Sequence, residues 1–147
     1  MSKPMNNASV SLCDVKTELA VDFGKLTLIG PRLDQHRTCV AGRSCLVDGV
    51  TGFHLSDADR VVVMETCGAR SLHGLPNGGV ATSVSASGTS YHWGSVPLSA
   101  AGGRYQLCWC SPGFSCSATE DFRVTAGVLH VIGPASVPGY STWRRTC

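Results

Sequence analysis

The chain has 147 residues with a formal charge of +2; 43% of them are apolar and only 15% charged. That length supports one domain with a real core and falls short of two ordinary ones. So weak a charge excludes the dense Lys/Arg footprint of a nucleic-acid binder, no apolar run nears the roughly 18–20 residues of a membrane helix, and Val, Leu and Ile spread along the chain exclude long disorder.

In chain order, Met1–Val10 has no apolar stretch and therefore no visible secretory signal, and Asn7-Ala8-Ser9 matches a glycosylation sequon. Leu26 and Leu28 ahead of Gly30-Pro31 read as a strand closed by a turn. Asp59–Glu65 is a β-branched run expected to be buried on both faces and to stop at Cys67-Gly68. Leu75-Pro-Asn-Gly-Gly79 is a turn, because Asn-Gly and Gly-Gly supply positive φ. Val80–Ala86 and Ser90–Leu98 are strands around Ser87-Gly88-Thr89, and Gly103–Cys110 is the strongest strand. Asp121–Val124 and Val128–Ile132 complete about seven strands, the signature of an all-β, antiparallel immunoglobulin-like β-sandwich. Alternation along Gly103–Cys110 puts Tyr105, Leu107 and Trp109 on the core face and sends Cys108 and Cys110 to the other.

Eight cysteines stand at 13, 39, 45, 67, 108, 110, 116 and 147. The short spacings are not paired C-x₂₋₄-C hooks and no H-x₃₋₅-H follows, so zinc is disfavoured against disulfides. Bridges imply an oxidising compartment, secreted or cell-surface, although no signal peptide is visible. Six cysteines between residues 25 and 126 allow about 15 connectivities, which spacing leaves open. The favoured set is Cys39–Cys45, Cys67–Cys108 and Cys110–Cys116, the two short loops each holding a glycine, Gly42 or Gly113. Cys108 and Cys110, two apart on one strand, are poorly placed to bond each other.

An internal repeat organises the chain. Val21–Pro31 (VDFGKLTLIGP) recurs as Val124–Pro134 (VTAGVLHVIGP) with Val, Gly, Leu, Ile, Gly and Pro identical in one register. The same offset places Cys13 on Cys116, and Arg37-Thr38-Cys39 returns as Arg145-Thr146-Cys147. The period is about a hundred residues, the size of one sandwich domain. Residues 1–24 thus read as the tail of one repeat, 25–126 as a complete unit, and 127–147 as the opening of a third. On this reading the chain is a piece of a tandem array, with Cys13 and Cys147 belonging to the flanking units.

Tyr105-Gln-Leu-Cys-Trp-Cys110, followed by Cys116, Asp121-Phe-Arg-Val124 and Gly127-Val-Leu-His-Val-Ile-Gly-Pro134, resembles a tandem Cys-rich repeat of very large surface or secreted proteins of dinoflagellates and related alveolates. Thr38-Cys39 with Gly42 and Cys45, and Cys67-Gly68, fit the same pattern, whereas the first dozen residues depart from it, Asn7 standing at the position of Cys110. The resemblance implies an extracellular modular architecture and no catalytic role. Ala101-Gly-Gly-Arg-Tyr105 is also similar to the tyrosine corner of immunoglobulin-type sandwiches, but the following Cys lies three residues on, not two.

For chemistry, His36, His54, His73, His92 and His130 are scattered, and the zincin, nucleophile-elbow and P-loop motifs are missing from the sequence. His130, alternating with Leu129 and Val131, should face outward. Asp57 and Asp59 ahead of a strand read as turn chemistry, not as a calcium loop. Tyr91-His92-Trp93 reads as a strand whose two aromatics share the core face, with an exposed platform as the alternative. The expected function is a non-catalytic structural or adhesive module without cofactor or metal, whose partners are neighbouring repeats. The alternative is a receptor domain for a glycan or protein ligand, using the 68–79 loop and Tyr91/Trp93 as its contact surface.

Overall fold

The computed structural model describes residues 21–135. The Asn7 sequon, Cys13, Cys147 and most of the opening of the third repeat lie outside the described residues. The described chain is all-β, relieved only by short 3-10 turns at Pro76–Gly79 and Thr119–Asp121. Its strands are β1 (Gly30–Pro31), β2 (Arg37–Val40), β3 (Leu46–Val47), β4 (Gly52–Phe53), β5 (Arg60–Met64), β6 (Ser83–Ser85), β7 (Ser90–His92), β8 (Gly103–Cys110) and β9 (Val124–Ile132). They form a four-stranded sheet in the order β2-β9-β8-β5, a three-stranded sheet β3-β7-β6, and the small pair β1-β4.

An apolar run on β5, the edge strand beside β8, is enclosed on both faces. Val61, Val62, Val63 and Met64 are all essentially solvent-free, as a run without alternation requires when both faces of a strand are covered. From β5, Val61 and Val63 join Leu107 and Trp109 of β8, Leu129 and Val131 of β9, and Val47, Tyr91 and Trp93 of the smaller sheet in the main core. From the opposite face, Val62 and Met64 pack with Cys108, Cys110 and Phe122 in a second, smaller cluster. The alternation along β8 is therefore as the sequence indicates, but the face carrying Cys108 and Cys110 is enclosed, with the two residues 0% and 4% exposed.

Several elements differ from the sequence-based expectation. The sheet is not wholly antiparallel, since β2 runs parallel to β9 with Cys39 opposite Val131. Parallel neighbours need a long crossover, and here nearly the whole domain separates the two strands. Leu26 and Leu28 do not form a strand: residues 21–29 are unpaired among the described residues, and only Gly30–Pro31 joins β4. Of the expected strand Asp121–Val124 only Val124 is paired, as the start of β9, because the Asp121 carboxylate accepts the backbone N–H of Ser117 and Ala118, both at 3.0 Å, a local bond that competes with strand pairing. Strands β6 and β7 are shorter than expected; β7 stops where Gly94 turns to φ 82°. The turn at 75–79 has the backbone its residues favour, with Asn77, Gly78 and Gly79 all at positive φ.

One irregularity sets the course of β9. Leu107 faces Gly127 and Cys108 faces Thr125, so Ala126 is an extra residue on β9, a bulge that bends the strand. The bent chain meets the 32–36 segment, where Gln35 N–H donates to Ala126 O at 3.1 Å. Gly127 is required there, because any Cβ would overlap the Gln35 carbonyl.

Candidate functional site

The most distinctive local chemistry is covalent. Cys39 at the end region of β2 is bonded to Cys45 just ahead of β3, with Cα atoms 5.6 Å apart. Cys67, after β5, is bonded to Cys108 in β8 at 5.4 Å. Cys110, at the end of β8, is bonded to Cys116 at 5.9 Å. All three separations are ordinary for a disulfide. The second and third bridges leave the same face of β8 and draw the 65–71 and 111–118 loops over the outer cluster, against which Cys67 and Cys116 pack. That face would otherwise be an exposed apolar strip.

The structure brings Tyr91, His92 and Trp93 together on one strand but not to the surface. Tyr91 and Trp93 are 0% and 1% exposed and belong to the main core. Trp93 Nε1–H donates to Gly79 O at 2.7 Å, locking the 75–79 turn onto β7. Only His92 points away from that core; its ring nitrogen Nδ1 accepts the Gly94 N–H at 3.1 Å. A ligand surface made of Tyr91 and Trp93 is thus corrected: their burial leaves nothing for a ligand to touch. The 68–79 loop retains exposed Ala69, Arg70, Ser71, His73, Asn77 and Gly78, while Gly79 is held so close to Val63 O that a Cβ would sit 2.6 Å from it.

Asp57 and Asp59 do the work of turn residues. Asp59 is buried and accepts Ser56 N–H at 3.0 Å, and Asp57 accepts Gly88 N–H at 2.8 Å. Their loop borders an open cleft of about 700 Å³ together with Arg60, Asn77 and Val80–Val84. Asp59 also acts on the core. Burial, reinforced by the Asp59 charge and opposed by Arg37, pushes the Tyr91 hydroxyl up to about 12, and that hydroxyl has no hydrogen-bond partner among the described residues. His130 is half-buried on β9 and meets His36 edge-to-face at 5.9 Å. Among the described residues no three His, Cys, Asp or Glu side chains gather as metal ligands.

A second concavity escaped sequence reading. A groove of about 370 Å³ is lined by Thr27, Leu28, Ile29, Trp109, Phe114 and Val124, with Ser111, Cys110 and Asp121 at its edge. Phe114 is 77% exposed there, held out on the loop closed by Cys110–Cys116. Its one sequence signal is an aromatic residue among the five residues between Cys110 and Cys116, otherwise Ser, Pro and Gly. At the opposite end of β8, Tyr105 O–H donates to Ala101 O at 2.7 Å. Comparison of the chain with family models, with curated proteins and with solved structures finds no match.

Proposed function

We propose that this chain carries a non-catalytic extracellular module, a structural or adhesive unit of a tandem array whose neighbours are further copies of the same repeat. The observation that carries the reading is the placement of the three bridges. Two of them hold short loops over the outer cluster and one ties β2 to β3, so the unit depends on sulfur that only an oxidising compartment keeps bonded. The carboxylates bordering the open cleft beside Arg60 are taken up by backbone N–H groups, which fits scaffolding better than acid–base work. The repeat of 21–31 at 124–134 supplies the array.

An immunoglobulin-like sandwich is the finer fold reading we favour. Support comes from the strand orders β9-β8-β5 and β3-β7-β6, which follow the G-F-C and B-E-D orders of that architecture, and from the Tyr105–Ala101 bond at the place of a tyrosine corner. It departs in the place of its inter-sheet bridge: Cys39–Cys45 ties β2 to the start of β3, while between β3 and β8 Val47 and Leu107 pack in one core without sulfur. A receptor role drawn on Tyr91 and Trp93 is not carried forward, since both are enclosed.

The test is thiol counting on native material from the expressing organism. The expected result is six bonded cysteines between residues 25 and 126, and loss of the cooperative melt in strong reductant. Six free thiols in folded native protein would reject the proposal.

A further inference from the structure

The two copies of the repeated segment have opposite fates. In the second copy, 124–132 is β9, flanked by β2 and β8, and its Leu129 and Val131 are 0% and 4% exposed. In the first copy the matching residues are Leu26 and Leu28, at 83% and 77% exposed, with no strand beside them among the described residues. Gly24 likewise stands where β9 needs Gly127 to clear a crossing backbone. Residues 21–29 therefore carry the inward apolar pattern of a closing strand without the sheet that would bury it.

The Gly-Pro after each copy shows how such a strand meets the next unit. At the exit of β9, Gly102 N–H donates to Pro134 O at 2.8 Å, and Gly133 crosses Gly102 too closely for a side chain on the latter. After the first copy, Gly30 and Pro31 pair with Phe53 and Gly52. Gly30 lies at φ 145°, and a Cβ there would be 3.4 Å from the Trp109 ring. One Gly-Pro standing between two units would make both sets of contacts, gripped by Gly102 of the unit that ends and by β4 and Trp109 of the unit that begins. The segment running into that grip is already one wall of the apolar groove with Trp109, Phe114 and Val124, through Thr27 and Ile29, whose matches on β9, His130 and Ile132, are the residues that stay out of the core. Trp109 Nε1 is buried there without a partner among the described residues.

We infer that residues 21–29 are the closing strand of another unit of this fold, and that this neighbour seats on the Trp109–Phe114–Val124 groove, so that Gly30-Pro31 is a fixed elbow between units, not a flexible linker. The inference rests on the tandem-array reading proposed above and adds the surface through which consecutive units touch. A shared strand leaves no free linker, and apolar side chains on both sides of the junction remove the independent motion that joined domains otherwise show.

The test uses a two-unit chain in which residues 1–132 run directly into residues 30–147. All nine strands lie between Gly30 and Ile132, so each unit is complete. NMR relaxation should give one rotational correlation time for both units, about twice that of the 147-residue chain or more. Phe114→Ser in the second unit should split it into two shorter times while leaving the melting of both units unchanged. Two folded units that tumble separately, with Phe114→Ser without effect, overturn the elbow and leave the array reading standing. A second unit that fails to fold behind the first overturns the array reading and the elbow with it. A single-unit chain that dimerises with residues 21–29 protected from hydrogen exchange overturns the in-line arrangement in favour of strand exchange between chains.

Discussion

The two faces of the four-stranded sheet solve one problem by different means. The inner face meets a second sheet, so Val61, Val63, Leu107, Leu129 and Val131 are buried against Val47, Tyr91 and Trp93 mainly by packing, with the Cys39–Cys45 bridge inside the same cluster. Among the described residues the outer face meets no sheet. Val62, Met64, Cys108, Cys110 and Phe122 are covered by loops, and a loop covers an apolar strip reliably only if its own disorder is restricted. Cys67–Cys108 and Cys110–Cys116 impose that restriction. One strand, β8, thus serves a core held mainly by area and a cluster whose cover is held by cross-links from β8 itself.

The largest expected effect lies on the packed side. Trp93→Ala removes a fully buried indole and the Nε1–H bond to Gly79 O. Such truncations cost about 3–5 kcal/mol, much of the stability of an ordinary domain. Urea denaturation with the bridges intact should find the variant at or beyond the edge of folding. A loss below about 1 kcal/mol, the scale of an exposed site, would show that the inner face is not the main store of stability.

The stapled side should answer in proportion to loop length. Removing Cys67–Cys108, whose partners are 41 residues apart, as the Cys67→Ala/Cys108→Ala pair should cost about 4 kcal/mol on the chain-entropy account. Removing Cys110–Cys116, with a separation of 6, should cost about 2 kcal/mol. Denaturation midpoints of the two double variants check the order. Equal losses would mean that covering Val62, Met64 and Phe122 matters more than the length of chain each bridge restrains.

How much of this could be read from the letters differs between the faces for the same reason. The inner face was legible because Tyr105, Leu107 and Trp109 alternate with polar or sulfur residues, and alternation is the direct record of one buried side. Val61–Met64 was legible as a strand covered twice. The outer cover was not, because Phe122 and the 111–118 loop reach Val62 through a bridge and a carboxylate turn at Asp121, neither of which has a period. Strands β1, β3 and β4 have two residues each, too few to alternate. Leu26 and Leu28 carry a strand's pattern without a strand's place, since the sheet that pattern matches belongs to a different unit on our reading. The groove at Phe114 depends on chain segments some eighty residues apart and leaves only a lone aromatic in a short loop as its trace.

The smallest expected effect tests a flaw in the packed core. Tyr91 is fully enclosed and its hydroxyl has no partner among the described residues, so the fold carries a desolvated polar group without return. Tyr91→Phe should therefore stabilise the protein at neutral pH, by about 1 kcal/mol, the lower end of the cost of an unmet buried donor. The same residue predicts a pH signature. Burial, with the Asp59 charge adding to it, pushes the Tyr91 hydroxyl up to about 12, against about 10 in an unfolded chain. The folded state thus holds the proton more tightly than the unfolded one. Its contribution is complete below pH 10 and is lost as the pH climbs from 10 to 12, because the unfolded chain ionises first. Wild-type stability should fall across that window, and Tyr91→Phe should flatten the fall. If both proteins lose stability with the same slope between pH 10 and 12, the alkaline weakness lies in the disulfide-covered face and not beneath the smaller sheet.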